Sequence, residues 1–292
     1  MRQFWLSNAD DVVYSLNEVK PNGVDVFLHD PSGLGYTVEM STIKLGNSNL
    51  IINEDYVLPP LEGEVLFKGT LRNVYQQYQE FIRFLSKRPI TLHYLPPNTF
   101  NSYGCSIRVT SLEKTEVQTD GLLHCPIIMN RQTLWSSDNP NIIDSSNSIS
   151  NGKSYPLSRP YTYGEVSLEN IRMTNDGMTD APIKVEIFGA CTDPSYNLYD
   201  DENNLYGSCK ILGTYDYVMV DSGDLTEEII LKRNGSVIAN AVNQQDLTVG
   251  SPNQVYVTFL RLHPGVSKLA FDMDENFTGT VRITWSNFYV SV

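Results

Sequence analysis

The sequence is poor in the residues that perform chemistry. It has only four histidines in 292 residues, and His29, His93, His124 and His263 lack the clustered spacing that a metal site needs. We interpret them as ordinary strand or turn residues. The sequence also contains no Gly-x-Ser-x-Gly elbow, no phosphate-binding loop and no His-Glu-x-x-His motif. These absences predict a protein that is not an enzyme, with no catalytic residues, no cofactor and no metal site.

Cysteine is equally scarce. Cys105, Cys125, Cys191 and Cys209 lie far apart and form no Cys-x-x-Cys pair, which excludes zinc-knuckle and thioredoxin-type sites. The first 16 residues do not have the pattern of a secretory signal, so the sequence favours synthesis in a cytoplasm and buried free thiols. Disulfides across neighbouring strands, pairing Cys105 with Cys125 and Cys191 with Cys209, remain the alternative.

Positive charge and long apolar runs are also lacking. The chain has 21 Lys and Arg against 34 Asp and Glu, a net charge of −13. Residues 161–292 hold 8 basic and 18 acidic side chains, a net charge of −10. Because such a surface repels phosphate backbones, we expect no nucleic-acid partner. No apolar run approaches the roughly 20 residues of a membrane span, so we expect no membrane insertion.

Only one long helix is predicted, over residues 70–88, with Thr70 as its N-cap and Pro89 as its stop. Gln76 and Gln77 belong to a Gln-rich outer face that is polar but nearly uncharged. Phe84 lies off the apolar stripe, which makes it a candidate self-assembly residue. The stripe recurs at steps of three and four residues, and we expect it to cover a sheet: Leu71, Val74, Tyr75, Tyr78, Phe81, Ile82 and Leu85.

Strand patterns are abundant. Asn234-Gly235 and Asp120-Gly121 are tight hairpin signals. The pattern predicts a mainly β protein, with an N-terminal β-sandwich or rolled sheet covered by one α-helix and a C-terminal β-sandwich. The predicted strands lie between Pro, Gly and Asn punctuation: 24–30, 36–46, 63–69, 90–95, 104–117 and 122–129 in the first half, and 163–170, 181–190, 205–213, 215–222, 228–240, 254–263, 266–274 and 278–292 in the second.

Composition divides the chain into three parts. Residues 1–135 form the predicted N-terminal domain, and residues 161–292 form the predicted C-terminal domain. Residues 136–160 are dominated by Ser, Asn, Asp and Pro, which is typical of a linker. An ordered arm that packs on a neighbouring subunit is the alternative for this segment.

Several turn motifs occur in order along the second half. An Asn-x-Gly turn leads to a strand of alternating apolar residues, a strand ends in Asp, and a Leu-x-Pro-Gly turn precedes a later strand. The residues of these motifs, with a closing Leu-Trp pair in the first half, are: Asn175, Gly177, Pro182, Ile183, Val185, Ile187, Gly189, Val218, Val220, Asp221, Leu262, Pro264, Gly265, Leu134 and Trp135. These motifs resemble those of distal tail proteins from long-tailed (siphovirus-type) bacteriophages or prophages. The first half is similar to that family in its order of parts, with looser residue matches.

This resemblance implies a structural protein of the virion tail tip, assembled in the bacterial host cytoplasm. It implies an N-terminal domain that joins six copies into a ring and a C-terminal domain with a galectin-like sandwich fold. The hexameric hub would connect the tail tube to the host-adhesion apparatus of the baseplate. The implied partners are the tail tube protein, a tail-associated protein and the receptor-binding proteins that serve host attachment.

Two other interpretations concern ligands. The acidic segments 200–203 and 272–276 are interpreted as solvated turns, with calcium binding as the alternative. A lectin-like function of the C-terminal domain, recognising host cell-surface saccharide, is the alternative to the structural hub. It would use exposed aromatic rings: Tyr196, Tyr199, Tyr206, Tyr215 and Tyr217.

Overall fold

The computed structural model describes residues 2–45, 48–117, 121–146, 168, 170–223, 227–244, 259–273 and 277–292. Strands dominate these residues, and the single α-helix there is α1 (Leu71–Leu85). The predicted mainly β fold is confirmed. Among the described residues, no helix has the length and apolar character required to cross a membrane.

The chain divides into two compact units. The first unit contains Met1–Asn139 and Phe288–Val292, and the second contains Pro140–Asn287. The predicted N-terminal domain therefore lacked the last five residues of the chain. Part of the predicted linker 136–160 is strand, because residues 136–137 and 141–146 enter ladders. The remainder of that segment lies outside the described residues.

The first unit is built on a ten-stranded sheet and a separate two-stranded ribbon. The sheet runs in the order β2-β1-β8-β9-β10-β7-β4-β3, and β11 also pairs with β9 and β23. The strands of the unit are: β1 (Gln3–Asn8), β2 (Val13–Ser15), β3 (Asn17–Val19), β4 (Asp25–Ser32), β5 (Thr37–Leu45), β6 (Ser48–Val57), β7 (Leu61–Lys68), β8 (Ile90–Leu95), β9 (Tyr103–Leu112), β10 (Leu122–Arg131), β11 (Trp135–Ser137) and β23 (Phe288–Tyr289).

Leu16 lies between β2 and β3, the two strands at the ends of this sheet order. Its amide donates to the Phe4 carbonyl at 2.9 Å, and its carbonyl accepts from the Leu28 amide at 3.0 Å. The segment that carries β2 and β3 therefore passes from β1 to β4 and rolls the sheet up. In β1 alternate residues such as Phe4 and Leu6 point inward, and they join one apolar core with residues of the other strands.

The helix α1 covers this core with a face that differs from the predicted stripe. Its buried residues are Val74, Gln77, Tyr78, Phe81 and Phe84, whereas Leu71 and Ile82 are 61% and 37% exposed. Thr70 is the N-cap residue as predicted, but its side chain makes no capping hydrogen bond. The helix also ends at Leu85, short of residue 88.

Two residues of α1 have the opposite environment to the predicted one. Phe84 was placed off the buried stripe, but it is only 7% exposed and packs on Tyr14 with ring centroids 5.3 Å apart. Gln77 was placed on the outer face, but it is buried and donates to the Tyr14 hydroxyl at 2.8 Å. Phe84 therefore belongs to the core of its own unit, and we do not retain it as a self-assembly residue.

The four cysteines are buried free thiols, as the sequence favoured. On the ladder between β9 and β10, Arg131 lies opposite Ile107 and Ile127 lies opposite Leu112, so Cys105 and Cys125 do not face each other. Cys191 and Cys209 lie opposite Tyr215 and Tyr196 in different sheets. The alternative disulfide pairings are therefore wrong.

The second unit contains two antiparallel sheets. One has the order β12-β22-β14-β17-β18-β19 with β20 paired to β14, and the other has the order β13-β21-β15-β16. The elements are: β12 (Asn141–Ser146), β13 (Ile171–Asn175), β14 (Ala181–Thr192), β15 (Ser195–Asp200), β16 (Leu205–Lys210), β17 (Thr214–Asp221), β18 (Glu228–Arg233), β19 (Ser236–Ile238), the 3-10 helix η1 (Ala241–Gln244), β20 (Arg261–Leu262), β21 (Gly265–Asp272) and β22 (Thr280–Trp285).

The alternation predicted for this half is present. In β22, Val281, Ile283 and Trp285 are buried while Arg282 is exposed. The Asn234-Gly235 hairpin signal is confirmed, since both residues have positive φ and connect β18 to β19. The predicted strand 163–170, apart from residues 168 and 170, and residues 254–258 of the predicted strand 254–263 lie outside the described residues.

Candidate assembly surface

A two-stranded ribbon in the first unit and its approach carry many of the exposed large apolar residues of the described chain. Strands β5 and β6 pair antiparallel from Thr37↔Val57 to Leu45↔Ser48, with a bulge after Ser41. They form a sheet of their own and pair with no other described strand. Two strands alone are marginally stable in water, because one face cannot be buried against a third element.

Large apolar side chains on this ribbon are open to solvent. Ile43 and Leu50 lie directly opposite each other and are 50% and 52% exposed. A continuous exposed apolar patch is typical of an interaction surface in a folded protein, whereas single exposed residues are normal. The exposed apolar residues of the ribbon and its approach are: Tyr36, Met40, Ile43, Leu45, Leu50, Ile51, Ile52, Tyr56 and Val57.

The base of the ribbon is fixed to the core of the first unit. The indole Nε1 of Trp135 donates to the Leu34 carbonyl at 3.1 Å, and the Arg131 guanidinium donates to the Gly35 carbonyl. Gly33 has φ of +79°, and a Cβ there would stand 2.0 Å from the Pro60 carbonyl oxygen. Only glycine permits such a close approach of the two backbone segments at the base of the ribbon.

The topology places the ribbon and the helix at opposite ends of the rolled sheet. The ribbon connects the C-terminal end of β4 to the N-terminal end of β7, which pair antiparallel. The helix connects the other end of β7 to β8. The β8–β9 connection, residues 96–102, lies at the ribbon end, because each neighbouring strand reverses direction.

Each of the four histidines contacts one carboxylate, which the sequence spacing did not indicate. The Nδ1 atoms of His93, His124 and His263 lie 2.9, 3.1 and 2.8 Å from carboxylate oxygens of Asp138, Glu64 and Asp180. His29 lies 3.4 Å from Asp30. Among the described residues, no group of three or more His, Cys, Asp or Glu side chains is arranged to hold a metal ion.

Ser7, His93 and Asp138 form a hydrogen-bonded chain. The Ser7 hydroxyl lies 2.9 Å from His93 Nε2, and His93 Nδ1 lies 2.9 Å from Asp138 Oδ1. Gly104 leaves room for this contact, because a Cβ there would stand 2.6 Å from Asp138 Oδ1. An acyl-transfer site also needs donors aimed at the oxyanion, but Ser7 lies between β2 and β8, whose ladders engage the amides of its strand. We therefore interpret the Ser7–His93–Asp138 hydrogen bonds as a structural connection between strands.

The five tyrosines of the saccharide interpretation do not form one site. Tyr196 and Tyr215 are each 1% exposed, so they present no free face to a sugar ring, and the prediction for these two is wrong. Tyr199 and Tyr206 are half-buried in β15 and β16, whereas Tyr217 is half-buried in β17 of the other sheet. Tyr206 stacks on His263 at 4.4 Å between ring centroids.

The acidic segment after β15 forms a turn. The Asp200 carboxylate accepts hydrogen bonds from the Asn204 amide at 2.7 Å and from the Asn204 side chain at 2.9 Å. These bonds from Asn204 lower the pKa of Asp200. The carboxylate oxygens are therefore satisfied within the turn. Residues 274–276 of the second acidic segment lie outside the described residues.

The comparisons with known proteins match the first unit directly. A family profile described as "Distal tail protein, N-terminal domain" covers residues 3–132. Residues 3–132 therefore match the N-terminal domain of distal tail proteins. The predicted resemblance to phage distal tail proteins of the baseplate is thereby confirmed. The profile covers the first half of the chain, where the residue matches to the family are looser. The more specific turn motifs of the second half lie outside the profile.

Solved structures share the fold of the whole chain. A chain of the phage P2 baseplate in its activated conformation with calcium is 15% identical, covers 100% of both chains and has a TM-score of 0.63. The corresponding chain with strontium is 17% identical, also covers 100% of both and has a TM-score of 0.64. The SPP1 Dit protein, described as a paradigm of the hub adsorption apparatus in phages that infect Gram-positive bacteria, is 12% identical, with coverage of 97% and 98% and a TM-score of 0.57. No curated protein sequence matches significantly.

The ribbon was missed because only its first strand was predicted. The sequence pattern predicts a strand over 36–46 but none over 48–57. The sequence signal for the second strand lies in Leu50, Ile51, Ile52 and Val57, which follow Gly46 and Asn47, two residue types that favour turns. Because Leu50, Ile51 and Ile52 are adjacent, this segment lacks the alternation of apolar and polar residues that predicts a strand.

Proposed function

We propose that this distal tail protein assembles into a hexameric ring at the virion tail tip and joins the tail tube to the host-adhesion apparatus. The ring forms in the host cytoplasm, and the partners of the hub are the tail tube protein, a tail-associated protein and the receptor-binding proteins. The observation that supports this proposal is the exposed ribbon of β5 and β6. The titratable groups described above act as structural links, so the role of the hub is assembly without a reaction.

The ribbon meets two requirements of a subunit contact. It presents apolar area, whose removal from water favours association, and it presents strand edges, which pair readily with another chain. A closed ring needs a head-to-tail interface in which one patch meets a different patch on the next copy. A projecting ribbon that contacts a neighbour is such a patch.

The test is the oligomeric state of ribbon variants. The double variant Ile43→Thr and Leu50→Thr keeps β-forming residues but removes the apolar cross-strand pair. Multi-angle light scattering of the wild type should give a mass near six chains, and the variant should shift towards the monomer. The control replaces the adjacent polar pair by Lys44→Thr and Asn49→Thr, which should leave the mass unchanged. A wild-type chain that stays monomeric at high concentration would contradict the proposal.

The saccharide alternative has a separate test. Tyr206 with His263 and Tyr217 with Phe188 are aromatic pairs in the second unit, and in each pair the tyrosine is half-buried and its partner is exposed. Full-length protein is titrated with host cell-wall polysaccharide by calorimetry. Saturable binding lost in Tyr206→Ala or Tyr217→Ala would favour a lectin-like role, whereas no binding in the assembled protein leaves the hub as the function.

A further inference from the structure

Two basic side chains lie directly opposite each other on one sheet of the second unit. In the sheet of β13, β21, β15 and β16, Arg172 of β13 pairs with Lys268 of β21. Like charges at directly opposite positions destabilise a sheet. The pair also stands out because residues 161–292 carry a net charge of −10. An arrangement that costs stability in an acidic region points to a ligand that neutralises it.

The strand register places further polar groups on the same face of this sheet. Lys268 lies opposite Tyr199 of β15, and Ser195 of β15 lies opposite Lys210 of β16. Tyr199 and Ser195 are separated by an even number of residues, so they point to the same side. The other side of these strands is buried. We call this surface the basic face, and its main residues are: Arg172, Lys268, Tyr199, Asn197, Ser208 and Lys210.

The three cations of the basic face have no carboxylate partner in the described part of the chain. Arg172, Lys268 and Lys210 form no ion pair there, and Lys268 Nζ donates only to Asn203 Oδ1, at 3.4 Å. Their charge is therefore available to a ligand.

The acidic groups beside this face lie away from the pair. Asp272 is on the same face, but it follows Lys268 by four residues of β21, a distance of about 13 Å along the strand. In the acidic turn after β15, the Asp200 carboxylate is held by Asn204. The end of the face that carries Arg172 and Lys268 therefore keeps its positive charge.

Short polar side chains occupy the middle of the basic face. The Ser208 hydroxyl donates to Asn197 Oδ1 at 2.8 Å, which leaves the amide nitrogen of Asn197 free to donate to a ligand. Ala270 lies opposite Asn197 and is too short to cover it. The half-buried ring of Tyr199 lies next to Lys268. Cations, an amide, a hydroxyl and an aromatic ring together suit a ligand that is anionic and rich in hydroxyl groups.

Composition argues against a macromolecule of another class. Lys, Ser and Ala are depleted in protein–protein interfaces, which are centred on aromatic, Met and Arg anchors. Duplex nucleic acid carries one negative charge per 1.7 Å or so, and the acidic unit would repel that density. A polysaccharide with one anionic group per sugar is less densely charged and presents many hydroxyl groups.

We propose that the basic face binds an anionic polysaccharide. Arg172 and Lys268 hold one anionic group, while Asn197, Ser208 and Tyr199 contact the sugar. The inference rests on the saccharide alternative of the proposed function, to which it gives a ligand class and a site. It does not require the hexameric ring.

Calorimetry with defined polysaccharides tests the ligand class. Full-length protein is titrated with polygalacturonate, which carries one carboxylate per sugar, and with neutral dextran of similar length. We expect saturable binding of polygalacturonate and none of dextran. Added salt should weaken the binding, because it screens exposed charges.

Two matched double variants test the site. Arg172→Gln with Lys268→Gln should weaken polygalacturonate binding by about tenfold to a hundredfold, because two charge-assisted contacts are lost. Its urea midpoint should equal or exceed that of the wild type, since a like-charge pair is removed. The control, Lys184→Gln with Lys232→Gln, removes the same charge from the other sheet and should bind as the wild type does.

The outcomes distinguish the ligand class from net charge and from other partners. No binding of polygalacturonate, or equal weakening in both double variants, would overturn the proposal. Poly-glutamate binding as tightly as polygalacturonate would assign the face to an acidic polypeptide and would also overturn it.

Failure of this site is distinguishable from failure of the proposed functions. If host polysaccharide binding is lost in Tyr206→Ala or Tyr217→Ala but kept in the Arg172 and Lys268 double variant, the lectin-like role stands and the basic face is wrong. The mass of the double variant in light scattering should equal that of the wild type, so the hub proposal is tested separately.

Discussion

The Asn175 side chain joins two turns that are 87 residues apart in the sequence. Its Nδ2 donates to the Leu262 carbonyl at 2.9 Å and to the Thr179 carbonyl at 2.9 Å. Its Oδ1 accepts from the Gly177 amide at 2.9 Å. Asn175 and Leu262 each belong to one of the turn motifs of the second half, so these motifs meet in one buried hydrogen-bonded cluster.

Replacing Asn175 should destabilise the second unit. Asn175 is 2% exposed, and Asn175→Ala leaves buried backbone groups without partners at about 1–3 kcal/mol each. Urea unfolding should show a lower midpoint for this variant. Asn49→Ala, on the exposed ribbon, is the control and should change the midpoint little. Equal midpoints for the two variants would contradict the structural role of Asn175.

Gln77 should matter more to stability than its neighbour Gln76. Gln77 donates to the Tyr14 hydroxyl and accepts from Asn22 Nδ2 at 2.9 Å in a buried setting. Gln77→Ala should cost about 2–4 kcal/mol, because it leaves a cavity and unpaired polar groups. Gln76→Ala, on the exposed face of the same helix, should cost only a few tenths. Thermal unfolding of both variants measures this difference in stability. Similar losses of stability in the two variants would contradict the structural role of Gln77.

Two glycines with the same backbone angle should respond differently to alanine. Gly33 and Gly23 both have φ of +79°, so each Gly→Ala change carries a similar left-handed strain, of about 1 kcal/mol. At Gly33 the new Cβ also collides with the Pro60 carbonyl, whereas at Gly23 nothing lies within 4 Å. Gly33→Ala should therefore lose more stability and shift the base of the ribbon. Hydrogen exchange of β5 and β6 should rise in Gly33→Ala and stay unchanged in Gly23→Ala.

The buried thiols should resist alkylation and limit stability at high pH. Burial raises the pKa of Cys105 and of Cys125 to about 12, because a thiolate cannot be solvated there. Since both pKa values are above those of the unfolded chain, the stabilising effect is full below the unfolded pKa, near 8.5, and is lost as pH rises towards 12. Iodoacetamide at pH 8 should label neither thiol in the native protein and both in denaturant.

A control separates slow alkylation from a general lack of access. Val13→Cys adds an exposed thiol and should react within minutes under the same native conditions. Mass spectrometry then assigns the modified positions. Rapid native labelling of Cys105 or Cys125 would show that the core around them opens readily.

The sequence predicts local structure correctly where a single segment determines it. The Asn234-Gly235 turn needs positive φ at both residues, and these residue types adopt it at low cost. The core strands, such as Ile90–Leu95, follow from alternation. The C-terminal boundary of α1 was less exact, because helix ends fray and α1 ends at Leu85 with Ser86 as its C-cap.

The sequence does not predict features that depend on contacts between several segments. Phe84 is buried because Tyr14 comes to lie against α1, and Gln77 is buried because Tyr14 and Asn22 supply its hydrogen bonds. The pairing of His93 with Asp138 joins residues 45 positions apart. No spacing rule connects such residues, since their separation along the chain is arbitrary.

The sequence by itself determined the mainly β class, the single helix and the resemblance to distal tail proteins, because periodicity and turn residues act over a few positions. Only the tertiary structure decided which apolar residues stay exposed. The ribbon residue Ile43 and the core residue Ile90 have the same side chain, yet one is half-exposed and the other is 3% exposed. The physical reason is that burial depends on what packs against a strand, and no third element of the described chain covers the ribbon.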